Sequence, residues 1–394
     1  MPVLTPNYTD TIEAPANLIA FYLPQFYPTP YNDEWWGKGF TEWTNVAKAR
    51  PRYKGHYQPH LPADLGFYDL RVPEVREAQA AMAREYGVHG FCYYHYWFNG
   101  RRILERPLDE VLASGKPSLP FCICWANENW SRTWEGRKDS TLLEQHYSAE
   151  DDLEHIRHLL PLLSDPRYIR VEGKPLVLIY RVELLPDARR TAETWRREAE
   201  KARLGGLFLV NVESNHRVDA SSPEWFGFDA CVRFQPNLHG FRLAMASRRI
   251  GKGIEKQFGS WAYNTLKHLK PKKSEFKDTI LEYADIYHNW KRAPVRTERH
   301  FDCVTPMWDN SGRRAQGAFI LKDATPVIYG DWLRDAVAKS QPDKDGKRWV
   351  FVNAWNEWGE GCHLEPCQQW GHSYLEATRR VLLAAHSQNK NVTV

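Results

Sequence analysis

The sequence predicts an α/β protein of the (β/α)8 TIM-barrel class, and three observations carry that prediction. Eight short apolar runs of strand length follow one another along the 394 residues. Amphipathic patterns of helical period fall between several of them, which argues for a parallel sheet with helical crossovers. Polar and aromatic residues gather just past the ends of the runs, at the rim where barrels of this class carry their sites.

The first run, NLIAFYL (17–23), ends in Pro24-Gln25 and opens a long excursion over 27–69 that includes Trp43, His56 and His60. His56 and His60 are four residues apart, but Pro59 prevents a helix from pairing them on one metal, so a loop reaching towards the pocket is expected. The helical pattern VPEVREAQAAMAREYG leads into HGFCYYHY (89–96), which ends in Tyr94, His95, Tyr96 and Trp97. The third run, PFCICW (120–125), continues into Trp125, Asn127, Glu128, Asn129 and Trp130. EDDLEHIRHLLPLL precedes PLVLIY (175–180), which ends in Tyr180-Arg181. DARRTAETWRREAEKARLGG precedes LFLVNV (207–212), with Asn215 and His216 just beyond.

DACVRF (229–234) is the sixth run, and the stretch from about 237 to 300 behind it reads as an insertion, because the barrel order then resumes. CVTPMW (303–308) ends in Trp308, and WVFVNA (349–354), flanked by GDWLRDAVAKS and YLEATRRVLLAAH, completes the ring. The expectation is one catalytic barrel domain over 1–394, with long insertions after strands one and six.

The eighth run leads into NAWNEWGEG (353–361), with Glu357 and Glu360 set among Trp355, Asn356, Trp358 and two glycines. Cleaving a glycosidic bond needs a group that protonates the leaving oxygen and a second carboxylate that supplies or activates a nucleophile. In a straight strand positions i and i+3 face opposite ways, so Asn356, Gly359 and Gly361 are expected to bend the chain and turn both acids into one pocket. The flanking tryptophans would raise a carboxyl pKa by desolvation, and two close acids would push their pKa values apart. The plainer reading has one acid capping the next segment and the other exposed to solvent. Glu128 is the third acid, placed to hydrogen-bond sugar hydroxyls or to orient the pair.

Composition points the same way. Seventeen Trp and nineteen Tyr exceed what a core needs, and many lie beside polar residues, as sugar-binding faces do. The plainer reading is that they fill a large barrel. The net charge of +4 does not call for nucleic acid, but residues 237–300 hold 14 basic against 6 acidic side chains, so this stretch carries +8 and the remainder −4. Such asymmetry fits either peripheral contact with an anionic membrane or a solvated helical insertion.

Five of the seven cysteines lie in apolar runs, as reduced buried thiols do, and Cys122-Ile-Cys124 has the wrong spacing for a redox or zinc site. No phosphate-binding glycine loop, dinucleotide fingerprint or nucleophile elbow is readable, so no cofactor and no metal is expected. MPVLTPNYTDTIEAP has no basic segment followed by an apolar one, which points away from a signal peptide and towards a cytoplasmic protein, peripheral at most to the inner membrane.

The stretches FYLPQFYPTPYNDEWWGKGFTEWTNV (21–46), GFCYYHYWF (90–98), CWANENWSRTW (124–134), GKPLVLIYR (173–181) and NAWNEWGEGCHLEP (353–366) together resemble the WbsX family, which is related to glycoside hydrolase family 99. The resemblance implies a barrel and a retaining mechanism without a protein nucleophile. In it, Glu357 takes the proton of the sugar's own 2-hydroxyl, which forms a 1,2-anhydro sugar, while Glu360 protonates the leaving group and later activates water. Gly359 stands where family 99 enzymes often carry His, which leaves mannose specificity open. The expected substrate-binding set is Tyr22, Gln25, Trp43, His60, Tyr94, His95, Trp97, Trp125, Asn127, Glu128, Asn129, Trp130, Arg181, Asn215, Trp308, Trp355, Asn356 and Trp358.

The function expected is endo-cleavage of an α-linked, mannose- or rhamnose-type bacterial surface polysaccharide or its lipid-linked precursor. The alternative is a transferase or transglycosylase of O-antigen, capsule or cell-wall assembly using the same two acids. A glycan-binding protein without activity would not need the pair.

Overall fold

The computed structural model describes residues 14–131, 141–214, 223–237, 278–293 and 299–390, with backbone alone over 383–390. Eight strands form the barrel: β1 (Asn17–Tyr22), β2 (Val88–Phe98), β3 (Phe121–Trp125), β4 (Lys174–Ile179), β5 (Phe208–Val212), β6 (Ala230–Arg233), β7 (His300–Val304) and β8 (Trp349–Val352). Every neighbouring pair is parallel, and β8 pairs with β1 to close the ring. Closure removes the sheet edges that an open array of these apolar strands would expose.

Helices surround the ring. After β1 come α1 (Pro30–Trp36), α2 (Glu42–Lys48) and α3 (Pro73–Glu85); α4 (Arg106–Ser114), α5 (Ala149–Leu163) and α6 (Ala188–Lys201) follow β2, β3 and β4. Beyond β6 lies α7 (Tyr283–Arg292), after β7 comes α8 (Pro326–Lys339), and α9 (Ser373–Lys390) ends the described chain. Local chemistry starts several of them. Ser148, Asp187 and Thr325 accept from the Asp151, Arg190 and Ile328 amides, satisfying donors that the first turn leaves open.

Strand alternation sorts the side chains into two layers. Phe21 points into the barrel, where its ring meets those of Tyr94, Phe234 and Phe351 at centroid distances of 5.7, 5.2 and 5.6 Å. Its neighbour Tyr22 points out, against Tyr93 and α3, where its hydroxyl donates to Gln79 at 2.7 Å.

The seventh strand begins earlier than the sequence suggested, at His300 instead of Cys303, and ends at Val304. Pro306 has no N–H for a ladder, and Trp308–Asp309 pairs instead with Phe319–Lys322 in a small sheet that also takes in Thr279–Glu282. The seven cysteines are all buried and free. No helix among the described residues is long and apolar enough to cross a membrane. The Arg248–Lys277 cluster lies outside the described residues.

Candidate active site

Past β8 the chain makes a hairpin: Asn356–Glu357 pairs antiparallel with Cys362–His363, and Trp358–Glu360 forms one turn of 3-10 helix between them. That turn, rather than a bent strand, brings the acids together, because residues three apart eclipse at three per turn. The two glycines serve different ends. Gly361 sits at φ +53°, a left-handed conformation that closes the turn. Gly359 has no such backbone demand; a Cβ there would stand 1.6 Å from Glu42 Oε1.

Asn356 fastens the hairpin to the barrel. Its Oδ1 accepts from the Leu23 amide at 2.8 Å and its Nδ2 donates to the Leu23 carbonyl at 3.0 Å. Behind it, Glu365 accepts from Tyr68 Oη (2.8 Å), Gln79 Nε2 (2.7 Å) and Trp358 Nε1 (2.6 Å). Burial pushes the Glu365 carboxyl up to about 7 despite these donors. Trp358 is sandwiched there, stacked on His363 at 3.7 Å. His363 Nδ1 donates to the Glu365 carbonyl, so its Nε2 accepts from His60 Nδ1 at 3.2 Å. Burial lowers His60 to about 4, so this chain is neutral.

One guanidinium organises the acids. Arg313, in the loop after β7, reaches Glu357 through Nη2 at 2.7 Å, Glu360 through Nη1 at 2.8 Å and Glu42 through Nε at 2.7 Å. Three carboxylates thus share one buried cation, and they cannot all ionise there without net negative charge. Burial raises the Glu357 carboxyl to about 8, with Arg313 opposing and Glu360 and Glu42 adding to the rise. Glu360 is raised as well, by burial first, against Arg313. The pair therefore keeps a proton at neutral pH. The Glu360 side chain is 23% exposed against 7% for Glu357, so Glu360 is the acid that faces outward. Tyr94 of β2 turns inward, its ring 5.7 Å from that of Phe21 and 6.1 Å from that of Tyr180, and the charge of Glu357 acts on Tyr94 and Tyr96 and that of Glu360 on Tyr180.

The remaining expected residues divide by strand parity and by loop. His95, Trp97 and Trp125 point outward into the helix layer: His95 meets His155 of α5 at 3.0 Å, Trp97 donates to Asp151 at 2.9 Å, and Trp125 packs on Trp195 of α6. Tyr22 and Trp355 are buried in the same outer layer, Trp355 against Phe91. Trp43 donates to the Tyr68 carbonyl at 2.8 Å and packs behind Trp358. Gln25 is buried, its carbonyl accepting from the Glu42 amide.

At the mouth, Trp130 meets Tyr96 edge-on at 5.1 Å. Glu128 pairs with Arg181, which also holds Glu183, and Asn127 grips the Arg181 backbone from both sides at 2.8 Å. The charges of Glu128 and Glu360 both act on Tyr180. Asn129 accepts from the Gln145 amide. Asn215 lies outside the described residues. Trp308 lines a cavity of about 710 Å³ with Tyr57, His60, Asp309, Gly361 and Trp370; it adjoins the bend, but Glu357 and Glu360 do not line it.

Arg313 and Glu42 were not among the residues expected at the site. One signal existed for the arginine: two acids forced into a dry bend need a cation, and Arg313-Arg314 follows the seventh strand on the same rim. For Glu42 the sequence offers only a lone acid in an aromatic stretch.

Residues 18–378 match the family described as Glycosyltransferase WbsX. Across 372 residues the chain is 42% identical to the protein named Uncharacterized protein WxcX in each of two strains of Xanthomonas campestris pv. campestris; 94% of this chain and 50% of that protein are covered, so the chain spans about half the length of these relatives. Among solved structures, it is similar to the GH99 endo-alpha-mannosidase of Bacteroides thetaiotaomicron at TM-score 0.56 and 14% identity, over 95% of this chain and 98% of that one. A structure described as a glycoside hydrolase-like protein matches at TM-score 0.56 and 12% identity, over 96% and 97%. At such identities the likeness establishes the barrel fold.

Proposed function

The chain belongs to the Glycosyltransferase WbsX family, and from that membership and its buried acid pair we propose that it is a retaining, endo-acting glycoside hydrolase. The observation that carries the reading is the bridging of Glu357 and Glu360 by Arg313, at 2.7 and 2.8 Å, in a dry bend at the barrel mouth. In the free protein the deeper Glu357 holds the shared proton. Substrate binding passes it to Glu360, which faces outward. Glu357 then takes the proton of the sugar's 2-hydroxyl as O2 bonds to C1, the C1–leaving-oxygen bond breaks, and Glu360 protonates that oxygen. Water, deprotonated by Glu360, opens the 1,2-anhydro ring at C1, and O2 regains its proton from Glu357.

The substrate class we propose is an α-linked mannose- or rhamnose-type bacterial surface polysaccharide, or its lipid-linked precursor, because an axial 2-hydroxyl is placed for attack at C1. The similar fold of the Bacteroides endo-alpha-mannosidase supports the mannose-type choice. The cavity lined by Trp308 and Trp370 suits a neighbouring sugar of the same polymer.

The family's description favours a second reading, transfer of the glycosyl group to a sugar hydroxyl in place of water. One experiment separates the two. The protein is incubated with mannose- and rhamnose-containing polysaccharides in oxygen-18 water, and products are analysed by mass spectrometry. Free oligosaccharides with one heavy oxygen at the new reducing end mark hydrolysis, and chain exchange without heavy oxygen marks transfer. Neither product from any polymer, or full activity in both Glu357→Gln and Glu360→Gln, would overturn the assignment.

A further inference from the structure

We infer that Glu42 is a positioning residue of the acid pair: its carboxylate fills the volume of Gly359's missing side chain, takes Arg313 Nε, and so fixes the guanidinium edge that faces Glu357 and Glu360. The inference rests on reading Glu357 and Glu360 as the working pair, but its test needs no substrate.

Three observations converge on it. Glu42 is fully buried on the first turn of α2, far from solvent that would satisfy a charge. A methyl group at Gly359 would stand 1.6 Å from Glu42 Oε1 and 3.0 Å from Arg313 Nε, so the glycine is there for space and not for backbone freedom. The Arg313 fork is used on both edges, with Nε on Glu42 at 2.7 Å and the two terminal nitrogens on the pair. Planar guanidinium geometry makes this directional: Nε anchored to Glu42 sets where Nη1 and Nη2 point. Asn45 Nδ2 donates to the other Glu42 oxygen at 3.3 Å.

The consequence is electrostatic. Glu42 draws part of Arg313's charge away from the pair and adds its own, and both effects favour the protonated form of Glu357 and Glu360. Arg313 and Arg314, from the loop after β7, act on the pair as positive charges. Tyr94 and Tyr96 of β2, Tyr180 past β4 and Cys362 of the hairpin also face it, and burial pushes each of them up, so they stay neutral where the pair titrates. Burial is the first cause of the rise in both acids, and Glu42 adds to it as a neighbouring negative charge.

The test is a carbon-13 titration of protein labelled at the glutamate carboxyl carbon, with the pair's signals assigned from Glu357→Gln and Glu360→Gln. In Glu42→Gln, which keeps an acceptor for Arg313 Nε, the Glu357 midpoint is expected to fall by on the order of one pH unit. A folded Glu42→Gln with unmoved midpoints overturns the inference. Should Glu42→Gln not fold, the double variant Glu42→Ala/Gly359→Ala, whose new methyl refills the vacated volume, carries the same titration with the same expected fall.

The volume argument has its own readout. Gly359→Ala alone is expected to lower the melting temperature sharply and to cost little in the Glu42→Ala background. Equal costs in the two backgrounds would overturn it. Both readouts stand even if no glycan is ever cleaved, so failure of the hydrolase reading and failure of this one are distinguishable.

Discussion

Arg313 Nη2 stands 2.7 Å from Glu357 Oε2, and the two side chains are 6% and 7% exposed. Removing one partner of a buried ion pair leaves the other charge uncompensated, a cost of about 3–5 kcal/mol. Lysine keeps the charge but offers a point instead of a fork, so it cannot hold three carboxylates in one plane. Arg313→Lys is expected to lower the melting temperature and to reduce turnover by about a hundredfold or more. Near-normal kcat in a folded Arg313→Lys would show that the bridge is not needed for chemistry.

The Glu357 carboxyl is raised to about 8 by burial, so it gives up its proton only in mildly alkaline solution. A raised carboxyl stays protonated through neutral pH and loses its proton above it. The rate of glycan cleavage is therefore expected to hold up to about pH 8 and to fall at higher pH. A profile of kcat/KM against pH checks this, and a decline already complete at pH 6 would contradict it.

Glu365, buried beneath Trp358, is raised by burial to about 7. Its folded form binds a proton more tightly than the unfolded chain, so the stability it contributes is present at low pH and is lost as pH rises towards 7. Across that window it weakens the fold by up to about 3 kcal/mol. Glu365→Gln is expected to flatten the dependence of unfolding free energy on pH between about 4.5 and 7, as measured by urea denaturation. An unchanged slope would place the titration elsewhere.

Asn356 holds the hairpin to β1 through two hydrogen bonds with the Leu23 backbone, at 2.8 and 3.0 Å. Asn356→Ala leaves a buried amide and carbonyl unsatisfied, for about 2–4 kcal/mol of lost stability. The same variant should loosen the turn that carries both acids, so kcat is expected to fall with little change in KM. Denaturant unfolding and steady-state kinetics measure the two effects separately.

Trp308 lines the cavity beside the bend, a cavity whose lining includes neither Glu357 nor Glu360. If that cavity holds a neighbouring sugar, Trp308→Ala removes a stacking face and is expected to raise KM about tenfold with kcat largely kept. A loss confined to kcat would return Trp308 to a packing role.

The placement of individual residues shows how far the sequence reached. The strand ends were legible as contiguous runs of polar and aromatic letters, but a strand sends alternate side chains to opposite faces. Tyr94 and Tyr96 therefore turn inward, against Phe21 and Trp130, while His95 and Trp97, one position along, pack against α5. The short apolar run at 303–308 was read too late because Pro306, inside it, ends the strand instead of joining it. Gly359 was read as a hinge, yet the space it leaves is taken by a carboxylate from the distant helix α2.

By itself the sequence determined the barrel, since eight apolar runs with helical patterns between them have a period that any reader can measure, and it pointed to Glu357 and Glu360 as the candidate pair, since both lie in one nine-residue stretch. Only the tertiary structure decided what surrounds them. Arg313 and Glu42 are 271 positions apart and meet because closing the ring sets the loop after β7 beside the excursion after β1, across the hairpin that follows β8. Local patterning cannot encode such a contact, because the force that selects it, the cost of leaving three buried carboxylates without a cation, arises only once the chain has closed around them.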